Sequence, residues 1–253
     1  MIKTAAVLLS TLLVSSSISA HTLWLVPSHY VLSKQDSWIS VDASAANMTF
    51  VPDKGISLQS LKLYLPDGKV QDVTSVHQGK RKSMADVQLA GDGTYKLEMA
   101  NPLRFFTSYE LNGERKRLMA NKQERTAQLP AGATKVETTQ MRSRNFAYIT
   151  VNSPTDTVVK LQGKGLEINS NVHPADVVAE ESLELVFNLD GKPQAGVKGV
   201  LSASRLLSGL PARRAASRRA RRCSSSFKIR ARSAAGFWCQ LNRSSRERRQ
   251  PTQ

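Results

Sequence analysis

Up to about Leu201, apolar residues recur at every second position in a series of short runs. Leu61, Leu63 and Leu65 share one face and end at the turn Pro66-Asp67-Gly68. Tyr95, Leu97 and Met99 share another, entered from Gly91-Asp92-Gly93. Phe105 to Leu111 runs into Asn112-Gly113, a pair that favours a tight hairpin. Phe146, Tyr148 and Ile149-Thr150-Val151 make a further run, stopped by Ser153-Pro154. Leu183, Leu185, Phe187 and Leu189 then alternate into Asp190-Gly191-Lys192-Pro193. A period of two is that of a strand with one buried face. Such runs, separated by frequent turn signals, predict an all-β fold built on an antiparallel β-sandwich. The only helical pattern is a turn around Glu114 to Asn121.

The alternation stops near Leu201. From Ser202 to Gln253 the chain is rich in Arg, Ser and Ala, with Phe227, Phe237, Trp238 and both cysteines (Cys223 and Cys239) scattered without period. This tail holds 13 Arg and Lys228 against a single acidic residue, Glu247, and so carries +13 of the formal net charge of +16. The body carries +3 and gives no reason to expect a nucleic-acid partner. Two accounts of the tail compete. An Arg-rich arm neutralises phosphate. Translation out of frame in a GC-rich gene also yields Arg, Ala and Ser in bulk. The inversion of usage at one point, from 15 Lys and 7 Arg before the break to one Lys and 13 Arg after it, favours the second. The tail is therefore expected to be disordered and frameshifted.

The N-terminus sets the expected compartment. Lys3 precedes a short apolar run from Ala5 to Val14, and Ser15 to Ala20 is small and polar enough to end it. This is the pattern of a cleavable signal peptide, too short to span a membrane, with the cut expected between Ala20 and His21. A periplasmic location follows. The body has no cysteine, so it must be held by its core rather than by disulfides.

Candidate chemistry is sparse. After cleavage His21 would be the first residue and would offer its α-amine and imidazole to one metal ion. The amine deprotonates readily when a metal competes, and neutral imidazole suits Cu, Ni, Co and Zn. His173 stands in Asn171-Val172-His173-Pro174-Ala175-Asp176 at an apparent domain junction. It reads either as a ligand there, with Asp176 as a weaker third, or as a cap that orders the linker. His29 and His77 read as surface residues, and Trp24 and Trp38 as core or sandwich-edge residues. No HExxH, CxxC, P-loop or GxSxG is present, which points away from an enzyme.

In this setting several segments resemble, in order, an uncharacterised secreted family filed with periplasmic components of nickel/cobalt uptake. They are Ala20-His21-Thr22-Leu23-Trp24-Leu25-Val26-Pro27, Gly93-Thr94-Tyr95-Lys96-Leu97, Asn112-Gly113-Glu114-Arg115-Lys116-Arg117, Ser153-Pro154-Thr155, Leu161-Gln162-Gly163-Lys164-Gly165-Leu166-Glu167, His173-Pro174-Ala175-Asp176 and Leu189-Asp190-Gly191-Lys192-Pro193-Gln194-Ala195-Gly196-Val197. Ala179 departs from the usual Gly. The resemblance spans about residues 1–201. It implies a binding component that captures Ni²⁺ or Co²⁺, with Cu²⁺ as alternative, for a membrane metal transporter or a TonB-dependent receptor system. It also implies that DGKPxAG opens a second, smaller transthyretin-like or Ig-like β module. That module's later hairpin and final Gly-x-Tyr strand do not follow Leu201. The expected organisation is a signal peptide at 1–20, a β-sandwich at 21–172, a truncated second β module at 173–201 and the tail at 202–253. A non-metal structural or adhesive sandwich accessory to an outer-membrane receptor is the alternative. A copper-dependent redox enzyme built on the terminal histidine is a third, disfavoured for want of a well-placed second histidine.

Overall fold

The computed structural model describes residues 22–46, 51–177, 182–195, 197–203, 226–230 and 237–248. Antiparallel strands dominate them. The first eight are β1 (Thr22–Pro27), β2 (Val31–Leu32), β3 (Ser37–Ala46), β4 (Leu61–Tyr64), β5 (Val70–Asp72), β6 (Val76–Gln78), β7 (Ser83–Leu89) and β8 (Gly93–Ala100). The next six are β9 (Arg104–Leu111), β10 (Glu114–Leu118), β11 (Thr134–Val151), β12 (Leu166–Ser170), β13 (Ser182–Leu189) and β14 (Lys192–Pro193). The last three are β15 (Lys198–Ala203), β16 (Ser226–Arg230) and β17 (Phe237–Arg248). The expected helical turn at Glu114 to Asn121 is absent. Residues 114–118 are instead the return arm of a hairpin, because Asn112 and Gly113 both take positive φ (53° and 80°) and close a two-residue turn. The short helix α1 comes later, at Arg125–Gln128.

The strands form three layers. A first sheet runs β1-β3-β7-β6, and a middle sheet runs β10-β9-β11-β8-β4-β5. Leu25, Ile39, Val41, Val87 and Leu89 from the first sheet pack with Leu61, Leu63, Leu97, Met99, Ile149 and Val151 from the middle one in a single buried cluster. This is the sandwich that the alternation implies. The face set Tyr95, Leu97 and Met99 is buried at 3, 0 and 2% exposure.

The long strand β11 organises the middle sheet. β8 and β9 lie end to end along one of its edges, from Val151↔Gly93 to Thr134↔Glu110, with a gap in the pairing between Tyr148 and Met141 and a register shift between Glu137 and Thr134. The sequence pattern marked only the last six residues of β11, because its N-terminal part alternates polar residues such as Thr138, Gln140 and Arg142.

A third sheet, β12-β13-β14, covers the other face of the middle one. Phe146 and Tyr148 of β11 pack there against Leu166, Ile168, Leu183, Leu185 and Phe187. The segment expected to be the remnant of a second module is thus buried against the first sandwich. Its hydrogen-bonded unit begins earlier than residue 173, since β12 pairs with β13 from Leu166↔Leu189 to Ser170↔Leu185. The Asp190-Gly191 turn into β14 again uses two positive φ values, 50° and 78°. As a result β8 and the end of β11 are covered on both faces, and Gly93 to Met99 and Phe146 to Val151 are buried without a break.

The tail departs in two segments from the expectation of disorder. β17 pairs with β11 from Glu137↔Arg248 to Ala147↔Trp238 and with β15, while β16 pairs with β13. An open sheet edge accepts any extended chain through main-chain hydrogen bonds, without a hydrophobic pattern in the added strand. A reading built on side-chain period is blind to such pairing. Apart from Ser202 and Ala203 at the end of β15, the rest of the tail, like residues 1–21, lies outside the described residues.

Burial of β13 predicts a clear contrast. Phe187→Ala, at a site 3% exposed, should cost about 3–5 kcal/mol in urea unfolding, whereas Leu103→Ala, at a site 41% exposed, should change stability by less than about 0.5 kcal/mol. A small effect at Phe187 would mean that the third sheet does not contribute to the cooperative core.

Candidate functional site

Of the three candidate metal ligands, His21 lies outside the described residues. The next residue, Thr22, opens β1 in register with Ala46. His173 caps a short 3₁₀ turn, Pro174–Asp176. Its Nδ1 accepts a hydrogen bond from the Ala175 backbone N–H at 3.1 Å, which fixes the remaining ring proton on Nε2. Nε2 then donates to the Thr155 carbonyl at 3.2 Å and lies 3.3 Å from Thr94 Oγ1. Thr94 Oγ1 in turn lies 3.0 Å from Thr150 Oγ1 and accepts from the Thr155 N–H at 3.0 Å. The imidazole therefore ties the linker to β8 and β11, which is the capping role. To bind a metal it would have to give up one of these bonds.

Asp176 shares the turn, its N–H donating to the His173 carbonyl at 2.9 Å. The two candidates are brought together in sequence and space, but on the face of the middle sheet opposite β1. The strand that follows His21 belongs to the first sheet, and stacked sheets stand about 10 Å apart. Among the described residues no group of three His, Cys, Asp or Glu side chains is placed to hold a metal. His29 is exposed, with Nδ1 3.0 Å from Ser28 Oγ, and His77 is exposed on β6. Trp24 is buried with Tyr30, Ala46 and Ala147, whereas Trp38 stands 61% exposed on β3.

A different cluster was not legible in the sequence. Lys96 and Glu98 alternate with Tyr95, Leu97 and Met99, so they read as the solvated face of a strand. The third sheet covers that face and leaves them only 7 and 3% exposed at the side chain. Glu98 Oε1 accepts from Arg144 Nε at 2.9 Å, and Arg144 Nη1 donates to the Leu166 carbonyl of β12 at 2.9 Å. Lys96 Nζ lies 3.0 Å from Glu98 Oε2 and 4.2 Å from the centre of the Tyr64 ring. The first of these contacts is poorly aligned, so Oε2 gains the charge but no proper hydrogen bond. Glu167 serves the loop beside them, accepting from the Gln162 and Gly163 N–H groups at 2.7 and 2.9 Å. Each charge is compensated because burying it alone would cost several kcal/mol. The only clue in sequence would have been Arg144 two residues before Phe146, on the same face, and its meaning depends on knowing that this face is covered.

The same burial acts on tyrosines. The Tyr64 hydroxyl is held protonated above its ordinary range, first by burial and then by the neighbouring Glu98 carboxylate. Burial alone does the same, more strongly, at Tyr30.

Two outcomes follow. Glu98→Gln leaves Lys96 and Arg144 buried without their counter-ion and should cost about 3–5 kcal/mol, while Asp42→Asn, in the half-exposed Lys82–Asp42 pair at 2.9 Å, should cost less than about 1 kcal/mol. Because the folded pKa of both tyrosines is raised, stability is full below the ordinary tyrosine pKa of 10.0 and falls as pH rises above it. Tyr64→Phe should flatten that alkaline limb in denaturation curves taken at successive pH values. An unchanged limb would count against a raised pKa at the half-buried Tyr64.

No curated protein matches the chain. Residues 18–211 match the model of a family described as a domain of unknown function, so the match takes in the first sandwich, all of β12 to β15 and the first ten residues after Leu201, and leaves residues 212–253 outside. The chain belongs to this family, DUF4198.

Proposed function

We propose that the protein is a periplasmic binding component for transition-metal acquisition, which captures Ni²⁺ or Co²⁺ and passes it to a membrane transporter or TonB-dependent receptor system. The observation that carries this reading is the placement of His21. It directly follows the expected signal-peptide cut and directly precedes a strand, β1, that is fixed in register from Thr22. A free α-amine and an imidazole on one residue form a chelate, and a rigid strand next to it limits the entropy lost on binding. Such a chelate supplies two donors. Water or groups of the receiving protein would complete the coordination sphere, which suits a carrier that must release its cargo. His173 and Asp176 are weaker candidates because of the hydrogen bonds that His173 would forfeit.

A second reading is a structural or adhesive sandwich accessory to an outer-membrane receptor, with no metal. The engagement of both His173 ring nitrogens favours it.

Calorimetry with Ni²⁺, Co²⁺ and Cu²⁺ on mature protein beginning at His21 separates the two. His21→Ala should remove most of the affinity. So should one extra residue before His21, because it converts the amine to a poorly coordinating amide while leaving packing alone. Affinity should also decline as the pH drops through the ordinary imidazole range, about 6.5, as protons compete for both nitrogens. Undiminished binding by the extended variant would rule out the terminal chelate, and no binding by the mature protein would favour the structural reading.

A further inference from the structure

Strand β15 lies within the family-matched region, yet among the described residues it pairs only with β17. β11, also within that region, pairs with β17 from Glu137↔Arg248 to Ala147↔Trp238. β17 itself, Phe237–Arg248, falls outside the match, which ends at residue 211. Both neighbours run antiparallel to β17, so β11 and β15 run parallel to each other with no pairing of their own. Two family-matched strands therefore flank a slot one strand wide, and a segment from beyond the family boundary fills it.

The occupant is held chiefly by its main chain. Asn145 stands directly opposite Gln240 and is fully buried, yet neither its Oδ1 nor its Nδ2 has a hydrogen-bond partner among the described residues. The register also sets Arg142 opposite Arg243, and like charges directly opposite each other destabilise a pair. A strand held this way is a replaceable one, since any extended segment offers the same backbone donors and acceptors. The identical segment of a second molecule fits by construction. Residues 204–225, which separate β15 from β16, span about 70 Å when extended, enough to carry β16 and β17 across to a neighbouring copy. Each exchanged strand then meets the pairing it has in its own chain, so the exchange forfeits no contact.

We propose that the slot between β11 and β15 is a strand-acceptor site, filled by β17 of the same chain and open to β17 of a second copy, so that two molecules pair by exchanging this strand. The site binds polypeptide backbone and is independent of the metal chelate at the N-terminus.

The test uses the full chain under reducing conditions and a labelled synthetic peptide of residues 237–248. Asn242 is paired with both Ser143 of β11 and Lys198 of β15, so Asn242→Pro removes a ladder hydrogen bond to one neighbour or the other and should vacate the slot. In fluorescence anisotropy the Asn242→Pro chain should bind the peptide saturably. The unsubstituted chain should bind it about tenfold more weakly or worse, because only molecules whose own strand is out can accept it. The same peptide with proline in place of Asn242, equal in charge, should bind neither. Because the variant can fail to fold, a second measurement uses the unsubstituted chain alone. Two populations carrying different fluorophores should form mixed dimers whose fraction rises with concentration, and excess peptide should suppress them. Failure of the folded variant to bind the peptide, equal binding of the peptide and its proline counterpart, equal affinity of both chains for the peptide, absence of mixed dimers, or mixed dimers indifferent to the peptide would overturn the proposal. Should the variant not fold, the mixed-dimer result decides by itself.

Discussion

The Glu98 carboxylate, held between Lys96 and Arg144, is the constraint on which the rest of the arrangement depends. It sits on β8, a strand whose opposite face is already committed to the first core through Tyr95, Leu97 and Met99. Covering the charged face with a third sheet is possible only if the charges neutralise one another in place. Arg144 does this and more, since its second nitrogen donates to the Leu166 carbonyl and so fastens the first strand of the third sheet to the middle one. The apolar contacts of Phe146 and Tyr148 with Leu185 and Phe187 provide most of the attraction between these layers. The ion cluster fixes where the layers meet, because a shifted register would strand a buried charge.

His173 performs a similar joining task at the edge of the same interface. Its capping of the 3₁₀ turn and its bonds to Thr155 and Thr94 turn what reads as a flexible junction into a fixed crossing from the first sandwich to the third sheet. This explains why the third sheet packs rather than dangles although it is small, with four strands of at most eight residues. It borrows one face of β8 and β11 instead of building a sandwich partner of its own.

Much of the fold was legible in the sequence, and the limits have physical causes. Alternation located β4, β8, the end of β11 and β13, and the Asn112-Gly113 and Asp190-Gly191 pairs marked the β9–β10 and β13–β14 turns, because period and turn chemistry are local properties. The polar half of β11 was missed since its burial comes from strands distant in sequence. Pairing of β16 and β17 was missed for a related reason, as a sheet edge recruits backbone and leaves no mark on side-chain period. At the site level, His173 could be placed at a junction but its role could not be chosen without its partners. Lys96 and Glu98 looked like an ordinary wet strand face, because whether a strand face meets solvent is decided by the layer laid upon it.

The central claim is that the third sheet is locked onto the middle one through the Glu98 cluster and unfolds with it. Native-state hydrogen exchange of the full chain tests this most directly. The account predicts that the amides of Leu183 to Leu189 open with the same free energy as those of Tyr95 to Met99, and that Glu98→Gln lowers protection in β12 and β13 before it lowers it in β3 and β7. Exchange of β13 through a separate, low-energy opening in the unsubstituted protein, with β8 still fully protected, would contradict it.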